Sequence, residues 1–166
     1  RALDLMDEMR KHRIEPNTIT YSMIISCCLS SGQKAQGVRL YKEGLEFGLW
    51  ELFKLRSQSK IVVDLHGHTE NMTKAGLNYV LEDLLESYKK KKFEDYSGTE
   101  LVIITGKGLH SEGFVPVLRP AVMQMFAEDF SPTLLCVLDE RNSGRLVVSA
   151  SDTLKWMNAS NVFGKQ

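Results

Sequence analysis

IVVDLHG at residues 61–67 and LVIITGKGLHSEG at 101–113 decide the fold of this chain. The first is a short apolar run that ends in glycine, which predicts a strand. Its two-residue period puts Asp64 and His66 on one face and Val63 and Leu65 on the other. The second opens with four consecutive apolar, mostly β-branched residues, the mark of a strand covered on both faces. Between the two, Leu77, Leu81, Leu84, Leu85 and Tyr88 recur at helical spacing, and Lys89 to Lys92 finish that helix where cations suit the negative end of its dipole. Beyond them, Leu118, Val122, Met125 and Phe126 share one helical face, with Pro120 confined to the first turn. Residues 134–138 and 145–149 read as two further strands joined through the turn chemistry of Asn142, Ser143 and Gly144. The order βαβαββ predicts an α+β two-layer sandwich, with helices on a mixed sheet.

Upstream of residue 61 the period is helical throughout. Ala2, Leu5, Met6 and Met9 form one stripe that stops before Pro16, and Tyr21, Ile24, Ile25 and Cys28 repeat the spacing up to Gly32. Val38, Tyr41 and Leu45 mark a third helix ending at Gly48. None of these short helices can bury its stripe alone, so stacked antiparallel hairpins are expected. Two similar helix endings, HRIEPN at 12–17 and FGLWEL at 47–52, lie 35 residues apart, a period of helical-hairpin solenoids. The expected domains are helical repeats over 1–52, a polar linker over 53–60, the sandwich over 61–156 and a tail over 157–166.

The 166 residues include 21 basic and 21 acidic ones, with 43% hydrophobic and 25% charged, an ordinary globular composition. Any anion-binding surface must therefore be local. No apolar run approaches bilayer length, so no membrane partner is expected; the chain reads as soluble and, opening on Arg1, as an excerpt. Cys27, Cys28 and Cys136 lack a CxxC pair and suggest a reducing compartment, with Cys27 and Cys28 read as buried helix residues. Tyr21, Tyr41 and the methionine stripes are expected in the core.

The chemistry gathers where the first two strands end. If they are parallel, as the helix between them suggests, Asp64 and His66 open at the same sheet edge as the loop TGKGLHSEG at 105–113. Three glycines there allow positive φ and close approach, so that several N–H groups can converge on an oxyanion. Lys107, His110 and Ser111 add cationic or hydrogen-bonding groups. Such a site suits phosphodiester chemistry: imidazoles ordinarily exchange protons near neutral pH, and Lys107 with the loop amides would offset charge on a phosphate. Asp64 would orient His66 or help hold magnesium, and its plainer role is to hydrogen-bond the following turn. His68 reads as a surface or capping residue. The loop fails both the GxGxxG and GxxxxGKS patterns, which argues against a nucleotide cofactor.

RALDLMDEMRKHRIEPN resembles the second helix of a pentatricopeptide repeat, and TITYSMIISCCLSSGQKAQGVRLYKEGLEFGLWEL resembles one complete repeat. Arrays of such repeats bind single-stranded RNA one base per repeat through two or three side chains. VDLHG, then TGKGLHS, then LRPAV, in that order, resemble the Smr (small MutS-related) domain from about Ile61 to Trp156. That resemblance implies a fold similar to the C-terminal domain of a bacterial translation initiation factor, and a nicking or RNA-cleaving nuclease activity. Carried over, Asp64, His66 and Gly67 match its first motif; Thr105, Gly106, Lys107, Gly108, His110 and Ser111 match the second. Arg119 matches the basic residue opening the last helix. Many plant members with pentatricopeptide repeats have tryptophan where this chain has Lys107.

Together the two halves resemble the C-terminal part of a PPR-SMR protein, a group in which the repeats select an RNA and the terminal domain acts on it in chloroplasts or mitochondria. The implied catalytic residues are Asp64, His66 and His110. The implied nucleic-acid contacts are Gly67, Thr105, Gly106, Lys107, Gly108, Ser111 and Arg119, with single-stranded RNA as partner and DNA as the alternative. Ser22 stands at the fifth position of the whole repeat and Leu52 at its last. Leucine cannot hydrogen-bond a base edge, so this repeat is expected to cap the solenoid. The rival readings are a nucleic-acid-binding module without catalysis and a protein-interaction platform.

Overall fold

The computed structural model describes residues 1–57, 59–90, 99–108 and 116–163. It divides into two compact units. One comprises Arg1–Leu52 with Asn71–Val80, the other Phe53–Glu70 with Leu81–Gln166.

In the first unit α1 (Ala2–Lys11), α2 (Thr18–Ser30) and α3 (Lys34–Glu46) follow one another through short turns. Asn17 caps α2, its Oδ1 accepting from the Thr20 amide at 3.0 Å. The 35-residue period is visible atom by atom at the ends of α1 and α3. His12 N donates to Glu8 O, Arg13 N to Arg10 O and Ile14 N to Met9 O; shifted by 35, Phe47 N donates to Glu43 O, Gly48 N to Leu45 O and Leu49 N to Gly44 O. Arg13 and Gly48 occupy the left-handed region at φ 56° and 68°. Met6, Tyr21, Ile24, Ile25, Cys28, Leu40 and Tyr41 form the core, joined by Met72 and Ala75. At its margin the Tyr21 hydroxyl donates to Glu43 at 2.6 Å, and Arg10 pairs with the same carboxylate, tying the three helices together. Desolvation and the Glu43 contact push the Tyr21 phenol up to about 12. Cys28 is buried as expected, but Cys27 is exposed, because it lies one residue off the α2 stripe.

Trp50 completes this core. Its ring lies 5.8 Å from that of Tyr21 and 5.5 Å from that of Tyr41. It occupies the space above Gly44, where an added Cβ would come within 2.0 Å of the indole. Leu52 packs against the same cluster.

The second unit is built on a five-stranded sheet in the order β1-β2-β3-β5-β4. Its strands are β1 (Phe53–Arg56), β2 (Lys60–Asp64), β3 (Glu100–Ile104), β4 (Cys136–Asp139) and β5 (Asn142–Val148). β2 and β3 are parallel and the remaining pairs antiparallel, so the sheet is mixed. The helices are α4 (Glu70–Lys89), of which Asn71–Val80 belongs to the first unit, α5 (Leu118–Glu128) and α6 (Ala150–Phe163). α5 packs against β4 and α6 against β3. Ile61, Val63, Leu65, Leu101, Ile103, Leu146 and Val148 are buried to 1% exposure or less and make the covered face. Pro120 sits in the first turn of α5 and Trp156 packs edge-on to Phe130.

Two boundaries need correction. Residues 53–60, expected as linker, contain β1; its FKLR alternation pairs with β2, and the Lys54 ammonium bonds Asp83 of α4. Residues 157–166, expected as a tail, contain the second half of α6, whose Met157 is fully buried. The start of α6 is signalled by Ser149 and Asp152: the Ser149 hydroxyl accepts from the Asp152 amide at 3.1 Å and donates to its carboxylate at 2.8 Å. Arg119 consequently opens α5, which is followed by a further helix.

Candidate functional site

The parallel pairing of β2 and β3 brings their C-terminal ends to one edge. Strand pairing stops at Asp64, and the Leu65 amide makes one more bond to Ile104 O at 2.9 Å. The chain then turns sharply, with His68 N donating to Leu65 O at 3.2 Å and Gly67 at φ 81°. Asp64 controls that turn. Its Oδ1 accepts from the His66 amide at 3.0 Å and lies 2.7 Å from Nδ1 of the same residue. One oxygen therefore serves both roles that the sequence left open, holding the turn and orienting the imidazole. With Nδ1–H directed to the carboxylate, the neutral imidazole presents Nε2 as its acceptor. The His66 side chain is 72% exposed and that of Asp64 only 21%. A sheltered acid thus aims an accessible base.

The second segment stands beside it. A Cβ placed on Gly106 would lie 3.6 Å from the Cβ of His66, so the loop backbone passes directly over the imidazole stem. Gly106 and Gly108 both have φ of 78°, which an L side chain would strain. The expectation that this loop's amides converge on an anion is corrected at two positions. Thr105 N and Gly106 N both donate to Gly144 O, at 2.9 and 3.1 Å. Thr105 is buried and its hydroxyl also reaches Gly144 O at 3.4 Å, so it pins the loop to β5 and is withdrawn from any ligand. Lys107 is exposed at the same edge.

Gly144, which the sequence offered only as turn chemistry, is the third part of the edge. A Cβ there would lie 3.2 Å from the Gly106 carbonyl carbon and 3.2 Å from Cγ of Lys107. Arg119 reaches the adjoining residue, donating from its guanidinium to Ser143 O. It is half-buried, with Nε buried and one terminal donor committed to the hairpin, leaving the remaining terminal N–H groups of the fork for an anion. Asp64, His66, Gly67, Gly106, Lys107, Gly108 and Arg119 are therefore brought to one rim. His110 and Ser111 lie outside the described residues.

His68 is the residue that sequence reading undervalued. It is half-buried, and burial holds its imidazole below the ordinary histidine range, against the raising influence of the His66 backbone and Asp64. The only signal was its spacing, two residues past His66. Among the described residues no group of three or more His, Cys, Asp or Glu is placed to hold a metal ion. Both contacts of Asp64 with His66 use Oδ1, and magnesium is ordinarily held by one or two carboxylates together with substrate phosphates rather than by a protein-built cage.

Residues 1–30 match the PPR repeat family. The match spans α1 and α2 and suggests RNA binding by the helical unit. Among curated proteins no match to the chain is found. Among the described residues no helix is long and apolar enough to cross a membrane.

Proposed function

We propose that the chain binds single-stranded RNA and cleaves a phosphodiester bond at the edge formed by Asp64, His66 and the Gly106 loop. The carrying observation is the double contact of Asp64 Oδ1 with the amide and Nδ1 of His66. Support also comes from the PPR family match and from the ordered motifs that resemble an Smr domain. The resemblance of the whole chain to the C-terminal part of PPR-SMR proteins supports a place in chloroplasts or mitochondria.

In the proposed reaction His66 Nε2 removes the proton from a ribose 2′-hydroxyl. The oxygen attacks the adjacent phosphorus, the bond to the 5′ oxygen breaks, and a general acid returns a proton to that leaving oxygen. The products are a 2′,3′-cyclic phosphate and a free 5′-hydroxyl. Asp64 stabilises the imidazolium formed in the first step, and Lys107 with the free donors of Arg119 offsets charge on the phosphate. His110 is the acid candidate by motif.

Labelled single-stranded RNA incubated with the chain, with end-group identification, tests the proposal. His66→Ala is expected to lower kcat by about 10² to 10⁴-fold, and a 2′-deoxy substitution at the scissile position to abolish cleavage. A His66→Ala, His110→Ala double variant that cuts as well as wild type would reject the assignment. RNA held tightly and never cut establishes the binding module instead. Cleavage of the deoxy substrate that a chelator abolishes points to metal-dependent hydrolysis or DNA nicking.

A further inference from the structure

The sheet carries one row of side chains of which this chemistry uses Asp64 alone. Phe53 pairs with Asp64, Asp64 with Ile104, and Ile104 with Arg145, one residue from each of β1, β2, β3 and β5. Register partners in neighbouring strands point to the same face. That face is opposite the one bearing Lys54, which bonds Asp83 of α4, and the buried Val63 beside it. Phe53 is 58% exposed, Arg145 is exposed, and Asp64 between them is the carboxylate that aims His66. The next row inward, Leu55, Val62, Val102, Val147 and Val137, is wholly apolar, with Leu55 and Val137 each 54% exposed at its two ends.

We propose that Phe53 is the stacking platform for a nucleobase of the strand being cut, with Arg145 holding a phosphate at the far end of the same row. The inference rests on the cleavage reading and adds where the substrate lies. An exposed aromatic ring and an exposed guanidinium at the two ends of one row are the two groups that hold single-stranded nucleic acid, the ring by its π-face and the guanidinium by charge. The row spans four strands, about 14 Å at the usual strand spacing, which is room for more than one nucleotide. A second protein copy is a poorer occupant, because an identical row closing over this one would strip water from the exposed Arg145 and offer it Asp64 only where that carboxylate is already bonded to His66. An extended strand leaves both charges hydrated and brings a phosphate to Arg145. Phe53 is thus a positioning residue, setting which linkage faces His66.

Single-stranded RNA carrying 2-aminopurine at successive positions around the cleavage point tests the platform. Wild type is expected to quench the probe at one position. Phe53→Leu, which keeps an apolar chain and loses the ring, is expected to lose that quenching and weaken binding about ten- to hundred-fold, seen as a raised KM with little change in kcat. Phe53→Trp restores both. The slope of log affinity against log salt stays unchanged in Phe53→Leu and becomes shallower by about one in Arg145→Gln. Equal quenching and KM in wild type and Phe53→Leu overturn the platform while leaving cleavage at the edge intact. Phe53-dependent quenching without any cleavage upholds the platform and removes the cleavage reading. A Phe53→Leu variant that changes only from dimer to monomer, with RNA binding unaltered, assigns the row to a second copy and overturns the proposal.

Discussion

His68 shows how one residue next to a functional pair couples folding to pH. Burial lowers its pKa from the ordinary 6.5, with Asp64 and the His66 backbone opposing and the His66 ring reinforcing the shift. The neutral form is therefore favoured in the fold, and the unfolded chain binds more protons at acidic pH. The stability this group contributes is present above about pH 6.5 and is lost as pH falls through its depressed folded value. Thermal melts of wild type should lose stability on that acidic limb, while His68→Gln should flatten it. Melts in which the two proteins fall in parallel below pH 6.5 would remove His68 as the cause. Why the sequence undervalued this residue is instructive. Period-two alternation places every second side chain on a face, but His66 and His68 lie past the last paired residue, Asp64, in a turn held by the His68 amide on Leu65 O. What buries an imidazole there is the tertiary surroundings, which strand periodicity does not encode.

At the scale of elements, the amphipathic stripes located α1 to α5, although Leu5 of the α1 stripe is 54% exposed, and Gly32 and Gly48 follow the ends of α2 and α3 as the sequence indicated. Gly44 illustrates what the stripe did not reveal. It is a helix-interior glycine in α3, which ordinarily costs helix stability relative to alanine. Its use becomes clear only with Trp50 lying over it. Gly44→Ala is expected to destabilise the helical unit by about 1–3 kcal/mol through overpacking, although propensity alone would give a gain. The accompanying change in tryptophan fluorescence, as Trp50 leaves Tyr21 and Tyr41, separates the two causes. An alanine variant more stable than wild type, with its fluorescence unaltered, would mean that the indole does not occupy that space. The loop at Thr105 and Gly106 is the counterpart on the sheet side. Three glycines announced close backbone approach, but whether the partner is a ligand anion or another carbonyl is set by where β5 arrives. Here Gly144 takes both amides.

Over the whole molecule, the parallel β2–β3 pair and the rim it creates were legible because two motifs end two strands with a helix between them, the crossover that parallel neighbours require. The outer limits of the sheet unit were not. β1 is four residues long and half charged, and α6 begins with small polar residues whose capping pattern was the available clue. The consequence can be tested by cutting the chain where composition alone would end it. Removing residues 157–166 deletes Met157, which is fully buried, and Asn158, which accepts the hydrogen bond of the buried Tyr88 hydroxyl. Loss of a fully buried methionine side chain alone costs about 2–5 kcal/mol, and the Tyr88 hydroxyl would lose its acceptor as well. Since a domain of this size retains only about 5–15 kcal/mol in total, the shortened chain should melt well below the full one or fail to fold. Met157→Leu conserves volume and should stay close to wild type. A truncated chain with an unchanged melting temperature would show that the second half of α6 is dispensable, and would restore the boundary near residue 156 that the sequence suggested.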